Sequence, residues 1–184
     1  KAKPLPLINK VINIFRPIMS SLYPIKNPII FLAFGLGSGL SPKAPGTAGS
    51  ALALLFFPLL VILGQIGSLA FIGIATIFGI WLCGKAAEIL RVHDHEAIVW
   101  DEFVGQWLAL WPLISIATWQ IASYVGIVLA FILFRVFDIL KPWPISWCDN
   151  HLKGGFGIMF DDVLAGLAAG GVMWFIVSGG YLAL

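Results

Sequence analysis

The chain has 184 residues, of which 60% are apolar and 11% are charged, and its formal net charge is +2. A soluble domain carries about 25% charged residues, so this composition excludes an ordinary soluble protein and indicates a membrane protein. The small net charge does not favour a nucleic-acid-binding protein, and the length allows one compact bundle rather than two domains.

The charged side chains are segregated along the chain. Every Lys, Arg, Asp and Glu lies in one of three segments, residues 1–43, 85–102 and 135–162. Because a charge in hydrocarbon costs several kcal/mol, the uncharged stretches between these segments predict membrane-spanning helices. The two long stretches have room for two spans each and the last for one span, which places all charged segments on the same side of the bilayer.

The first 27 residues form a basic arm, in which no acidic residue occurs. Apolar residues follow helical spacing over 5–23 and predict an amphipathic helix. This helix either lies in the membrane interface or packs on the bundle. Its basic character favours the anionic cytoplasmic leaflet. Residues 28–184 are predicted to form a single membrane-embedded domain.

Within that domain, residues 29–34 are too short to span, and the glycine-rich stretch 35–50 predicts irregular backbone. Thr47 or Ser50 is expected to cap the first span. The predicted spans cover about 47–63, 68–84, 101–117, 120–140 and from Asp161 to the C-terminus, with uncharged turns at Gly64 to Gly67 and at Trp119–Gln120. The expected fold is therefore an all-α polytopic bundle of about five spans plus the amphipathic helix. The charged loops all face the cytoplasm and the C-terminus lies outside.

Five carboxylates from three helices fall where spans meet the cytoplasmic surface: Asp101, Glu102, Asp138, Asp161 and Asp162. Carboxylate oxygens of this kind suit Mg²⁺, which prefers a few carboxylates together with water and phosphate. The alternative for any one acid is that it offsets the positive dipole at a helix N-terminus.

Basic residues accompany these acids, and two of them stand in glycine-rich loops. Lys43 lies within the 35–50 stretch, and Lys153 precedes Gly154 and Gly155, an arrangement that can present a charge and backbone N–H groups to phosphate. For Lys141 and Lys153, snorkelling at the membrane surface is the alternative.

The run from His93 to Glu96 contains a His-x-His pair, with His95 as its second histidine. This pair fits a metal site, a surface loop or a general acid for a leaving alkoxide, and the sequence leaves these open.

Several phosphate-transfer chemistries lack their signatures here. The chain contains no cysteine-phosphatase loop, aspartyl-phosphate motif, Walker loop, dinucleotide fingerprint or histidine-nucleophile pattern. Acids, bases and glycines at a membrane surface remain, which is the set needed for metal-assisted attack of water on a phosphate ester. The alternatives are a small ion- or proton-coupled transporter, which needs charges near the bilayer midplane, and a non-catalytic membrane subunit.

The polar motifs, taken together and in order, resemble the phosphatidylglycerophosphatase A family. The resemblance extends over residues 27–170 and is carried by Asn27-Pro28, GLGSGLSPKAPGTAGS at 35–50, VWDEFVGQ at 99–106, FRVFDILKPWPI at 134–145 and KGGFGIMFDDVLAG at 153–166. It implies an enzyme of the bacterial inner membrane, whereas the number of spans rests on the sequence pattern alone. Such an enzyme hydrolyses phosphatidylglycerol phosphate to phosphatidylglycerol and phosphate, with Mg²⁺.

On this reading, residues 28–184 are a catalytic domain facing the cytoplasm and acting on a phospholipid in the cytoplasmic leaflet. Neither a nucleic acid nor an obligate protein partner is expected. We expect Mg²⁺ to be bound by Asp101, Glu102, Asp138 and Asp162, and the transferring phosphate to be neutralised by Lys43, Arg135 and Lys153. The expected catalytic acids are Glu102, Asp161 and Asp101, with Glu102 orienting the attacking water. Direct attack by an acid to form an acyl-phosphate remains the alternative.

Overall fold

The computed structural model describes residues 26–92, 95–116 and 121–182; the predicted amphipathic helix, His93 and the turn at Trp119–Gln120 lie outside these ranges. The described fold is all-α, as predicted. Its seven α-helices are α1 Pro28–Ala33, α2 Pro45–Ala53, α3 Phe57–Leu90, α4 Trp100–Leu110, α5 Ile121–Leu140, α6 Ile145–His151 and α7 Gly154–Ser178. Short 3₁₀ segments cover Gly35–Leu40, Leu54–Phe56 and Trp111–Ile116.

The glycine-rich stretch is less irregular than predicted. Its first part is a 3₁₀ segment, but α2 already begins at Pro45, so the expected cap at Thr47 or Ser50 is wrong. Proline suits the first helical position because its ring fixes φ and no N–H is needed there. Ala44 precedes the helix in a left-handed conformation with φ of 50°.

Gly64 interrupts α3 where a turn was predicted. Its φ of 68° and ψ of 179° belong to a region that is open essentially only to glycine. The ring of Trp107 on α4 lies 5.8 Å from Phe56, before the break, and 5.3 Å from Phe71, after it. Both segments therefore pass the same level of α4, and the chain reverses direction near Gly64.

Helix α4 lies at the centre of the bundle and packs against α2, α3, α5 and α7. It has 11 residues, fewer than the roughly 20 that a span requires, and the 3₁₀ segment Trp111–Ile116 continues it. Most of its residues are buried, including the glutamine amide of Gln106. The predicted third span, 101–117, is thus a core helix surrounded by protein for much of its length.

Three indole N–H groups hold α4 and the 3₁₀ segment after it against the segments on both sides of the Gly64 break. Each donates to a main-chain carbonyl at 3.0–3.1 Å: Trp100 to Ala75, Trp107 to Ala53 and Trp111 to Gln65. These contacts place the end of α2 beside Trp107 and the later part of α3 beside the start of α4.

Helix α7 begins at Gly154, seven residues before the predicted start near Asp161. Glycine permits this earlier start because it lets α7 pack closely on α3: a Cβ at Gly155 would lie 2.7 Å from the Gly84 nitrogen. The acids Asp161 and Asp162 consequently lie about two turns inside α7 and do not open it.

The outer surface of the bundle is strongly apolar. Two helical stretches of the described chain, Pro45–Leu90 and Gly154–Ser178, are long and apolar enough to cross a membrane. Large apolar side chains are exposed along three helices, among them Ile62, Ile66, Ile74, Ile77, Val128, Ile132, Ile139, Leu167, Trp174 and Phe175. Such a surface indicates contact with lipid rather than with water, and so supports membrane association.

We expect Gly166→Val to destabilise the protein, because a Cβ at Gly166 would lie 2.8 Å from the Cα atom of Gly105 on α4. Overpacking of this kind costs about 1–3 kcal/mol, and each kcal/mol lowers Tm by about 2–4 °C in a chain of this size. Thermal unfolding in detergent measures the change.

Gly171→Val is the matched control for this substitution. Gly171 lies on the same helix, and no described atom lies within 4 Å of a Cβ placed there. Equal melting temperatures for the two variants would contradict the close packing of α4 on α7.

Candidate active site

One end of the bundle encloses a cavity of about 350 Å³. Its walls come from the start of α2, the start of α4, the end of α5, α6 and the first turns of α7. All five predicted carboxylates line it: Asp101, Glu102, Asp138, Asp161 and Asp162. The structure therefore brings together the acids that the sequence placed on separate helices.

Three of these acids converge closely. Asp101, Glu102 and Asp162 each offer one carboxylate oxygen, and the three oxygens lie within 4.8 Å of one another. Asp101 Oδ1 and Glu102 Oε2 are buried and have no hydrogen-bond partner among the described residues. Buried carboxylate oxygens without hydrogen-bond partners are costly. A divalent cation with oxygen ligands fits this group, because it would satisfy these atoms and cancel their mutual repulsion.

Local packing explains why these three acids meet. Asp101 and Glu102 occupy the first turn of α4, as predicted. Asp162 reaches them because α7 approaches α4 at a glycine: a Cβ at Gly105 would lie 2.7 Å from the Asp162 carbonyl oxygen. A larger residue at this crossing would move Asp162 away from the other two acids.

The other two acids are already paired with bases. Arg135 Nη1 lies 2.8 Å from Asp138 Oδ2, and both side chains are largely buried. Lys141 Nζ lies 2.6 Å from Asp161 Oδ2. The five carboxylates therefore divide into three that have no basic partner among the described residues and two that are held in ion pairs.

Arg135 is also tied to the start of α2. Its Nη1 donates to Ser50 Oγ at 3.2 Å, and Ser50 Oγ in turn donates to the Gly46 carbonyl at 2.9 Å. A Cβ at Gly46 would lie 3.3 Å from both terminal nitrogens of Arg135 and would collide with Glu102. Glycine is required at this position for the start of α2 to close over the cavity.

Lys141 forms two ion pairs in the cavity, which the sequence did not predict. Its Nζ lies 2.5 Å from Asp149 Oδ1 as well as close to Asp161. Burial lowers the pKa of Lys141, but hydrogen bonds to Asp149 and Asp161 outweigh this effect and raise the pKa above its usual value. The ammonium is thus charged throughout the physiological pH range. The sequence does contain a signal for the position of Lys141. Arg135, Asp138 and Lys141 are spaced three residues apart, which places them on one face of α5 and its end.

The other predicted phosphate-binding residues, Lys43 and Lys153, are exposed and do not line the cavity. Each is the chain neighbour of a lining residue, Ala44 or Leu152, which places them near its rim. His95 also lies outside the lining: its ring stacks on Phe34, and its Nδ1 accepts a hydrogen bond from the Ala97 N–H.

Sequence reasoning did not assign four further polar residues to the site. Glu96 and Asp149 line the cavity, and Ser50 supports Arg135. Gln106 belongs to the quoted VWDEFVGQ motif, and its fully buried amide has no hydrogen-bond partner in the described structure. It lies one helical turn beyond Glu102, so helical spacing alone could have drawn attention to it.

Residues 31–177 match the family model for phosphatidylglycerophosphatase A. The chain belongs to the phosphatidylglycerophosphatase A family. It is 41% identical over 162 residues to phosphatidylglycerophosphatase A of Escherichia coli K12, a match that covers 88% of this chain and 90% of that protein. It is 49% identical over 144 residues to phosphatidylglycerophosphatase A of Haemophilus influenzae, covering 78% of this chain and 85% of that protein. No solved structure matches the chain.

Membership of the phosphatidylglycerophosphatase A family confirms the resemblance drawn from the sequence motifs. It favours an enzyme over the transporter and the non-catalytic subunit. The geometry agrees, because the acids are gathered at one end of the bundle rather than at the middle of its apolar helices.

We expect Asp162→Asn to raise the melting temperature of the metal-free protein, since it removes one of three converging carboxylates that lack a basic partner. The same variant should lose most of the increase in Tm that millimolar Mg²⁺ or Mn²⁺ gives the unaltered protein. Thermal unfolding with chelator and with added cation measures both effects.

Glu88→Gln is the control for these two effects, because Glu88 is an exposed acid that pairs with Lys85 outside the cavity. If the cation shifts Tm equally in Asp162→Asn and Glu88→Gln, the three converging carboxylates do not hold it.

Proposed function

We propose that this chain removes the terminal phosphate from phosphatidylglycerol phosphate, releasing phosphatidylglycerol and inorganic phosphate. The single observation that carries the proposal is the convergence of Asp101, Glu102 and Asp162, without basic partners, beside two ion-paired bases in one cavity. Family membership supports the substrate, since the two relatives bear the name of this activity.

The cation in this proposal is Mg²⁺. Asp101, Glu102 and Asp162 would bind it directly, and Asp138, held by Arg135, would complete the acidic wall from the side of α5. When bound, the ion supplies Lewis-acid polarisation of the phosphoryl oxygens. Hard carboxylate oxygens in a small polar cavity suit this ion.

The protein's own residues then bind, orient and neutralise the substrate. Arg135 faces the cavity as a fixed guanidinium, held by Asp138 and Ser50, and would stabilise negative charge on the transferring group. Lys43 and Lys153, exposed near the rim, would contact the head group as it approaches.

Attack on phosphorus requires a water molecule held in line with the leaving glycerol oxygen, or an acid in that place. We assign the orientation of water to Glu102, with Asp101 and Asp161 as the other catalytic acids. Lys141 holds one oxygen of Asp161, and the other, Oδ1, is buried and has no hydrogen-bond partner among the described residues. Rapid-quench trapping of phosphate on the protein would instead support an acyl-phosphate.

The proposed setting is the inner membrane of a bacterium, with five crossing segments and the cavity facing the cytoplasm. The central, protein-enclosed crossing would be α4 together with the 3₁₀ segment Trp111–Ile116 that continues it. Residues 28–184 form one embedded catalytic domain in this proposal, and residues 1–27 form its basic arm. The reversal at Gly64 supports counting Pro45–Leu90 as two crossings. The cavity is lined by the starts of α2 and α4, the early part of α7 and the end of α5, as alternating crossings require.

We expect purified protein in detergent to release phosphate from phosphatidylglycerol phosphate in the presence of Mg²⁺ and to stop when the ion is chelated. Asp101→Asn and Asp162→Asn should each lower kcat about 10²- to 10³-fold, because each removes a carboxylate from the proposed cation site. A phosphate-release assay measures this, with circular dichroism to confirm folding.

Glu88→Gln, an exposed acid of α3, should retain full activity. Wild-type-like turnover in both Asp101→Asn and Asp162→Asn would refute the assignment of the site, and no turnover by the unaltered protein on this lipid would refute the function.

The proposed topology predicts opposite sides for two fusion points. Alkaline phosphatase, which is active only outside the cytoplasm, should be active when fused after Leu184 and inactive when fused after Val92. If both fusions are active, or both are inactive, the chain does not cross the membrane an odd number of times between the two fusion points.

A further inference from the structure

Lys141 has an unusual backbone conformation for its residue type. It follows the last turn of α5, where its N–H donates to the Phe137 carbonyl at 2.9 Å, and its φ is 41°. This left-handed region is strained for residues with a Cβ, and glycine or asparagine normally occupies such a position after a helix. A lysine in this position is therefore maintained at a cost in stability and calls for a functional reason.

The side chain of Lys141 extends between two carboxylates from different helices. Its Nζ is 2.5 Å from Asp149 Oδ1 on α6 and 2.6 Å from Asp161 Oδ2 on α7. All three residues line the cavity. An ammonium has three N–H donors, and two of them are taken by these acids, so one donor is left for a further acceptor.

We infer that Lys141 binds the phosphoryl group that is removed and that Asp149 positions it for this. The inference rests on the proposed function, because it assigns a residue to the same substrate phosphate. Among the described residues, Arg135 and Lys141 are the only bases that line the cavity. Seven acids line it as well: Glu96, Asp101, Glu102, Asp138, Asp149, Asp161 and Asp162. A phosphate dianion therefore needs a fixed ammonium beside the cation site, and Asp161 holds one next to Asp162.

Neutralisation of Asp161 is the simpler role for Lys141, and the two roles predict different inhibition patterns. Inorganic phosphate and phosphatidylglycerol are the two products of the proposed reaction, and only the first carries the group that Lys141 would bind. A purely structural lysine would affect inhibition by both products alike, whereas a phosphate-binding lysine would affect inorganic phosphate selectively.

Arg91 provides a matched control for the backbone change. It too is a non-glycine residue with positive φ, 57°, after the end of a helix, but it is exposed and does not line the cavity. Lys141→Gly and Arg91→Gly both relieve left-handed strain, and only the first removes an ammonium from the cavity.

The test measures phosphate release and product inhibition in these two variants, with Lys141→Met as a variant that keeps a side chain. We expect Lys141→Gly and Lys141→Met to lower kcat/KM about 10- to 100-fold and to raise the inhibition constant for inorganic phosphate by a similar factor. The inhibition constant for phosphatidylglycerol should stay unchanged. Arg91→Gly should match the unaltered protein in all three measurements.

Asp149 tests the positioning role. Asp149→Asn should raise the inhibition constant for inorganic phosphate several-fold without changing that for phosphatidylglycerol. Asp149→Glu keeps a carboxylate and should bring the constant for inorganic phosphate back towards the value of the unaltered protein. An unchanged phosphate inhibition constant in the Lys141 variants, or a parallel change for both products, would overturn the inference while leaving the proposed function intact. Failure of the unaltered protein to release phosphate would instead overturn the function.

Discussion

The arrangement of the whole bundle depends on one electrostatic problem, which is that acids from separate helices meet in an enclosed space. Asp101, Glu102 and Asp162 place carboxylate oxygens within 4.8 Å of one another, and buried oxygens of Asp101 and Glu102 lack hydrogen-bond partners in the described structure. Repulsion between like charges in a poorly solvated cavity would separate the helices that carry them unless something opposed it. Helix packing supplies that opposition permanently, and a cation would supply it whenever it is bound.

The packing that opposes the repulsion is unusually close because it uses glycine. Gly105 and Gly166 let the backbones of α4 and α7 touch, and Gly46 lets the start of α2 lie against Glu102. The indole of Trp107 then fastens α4 to α2 through the Ala53 carbonyl. Since α2 and α4 both begin at the cavity, the partial positive charges at their N-termini also favour the anionic side chains and an anionic substrate.

The sequence alone indicated which acids gather at one end of the bundle but could not describe how they pair with bases. Segregation of charge along the chain placed the five acids at one end of the bundle, because a desolvated charge is costly wherever it falls. The start of α7 was misjudged because Asp161–Asp162 resembles a helix-opening pair, whereas tertiary packing of Gly155 on Gly84 begins the helix earlier. The spacing of Arg135, Asp138 and Lys141 indicates a shared face, but the positive φ of Lys141 and its ion pair with Asp149 are tertiary features that local periodicity does not encode.

The paired bases and the acids without a described basic partner lie on different helices. Helix α5 and its end carry Arg135 and Lys141, both already held by carboxylates, whereas α4 and α7 carry the three acids that lack a basic partner. A phosphate monoester between these walls would meet fixed positive charge on one side and a cation site on the other. Neither wall alone would bind the phosphate monoester, because the bases are too few to offset seven acids and the acids alone would repel the substrate. Binding of the cation and of the phosphate should consequently reinforce each other, as each reduces the electrostatic cost of the other.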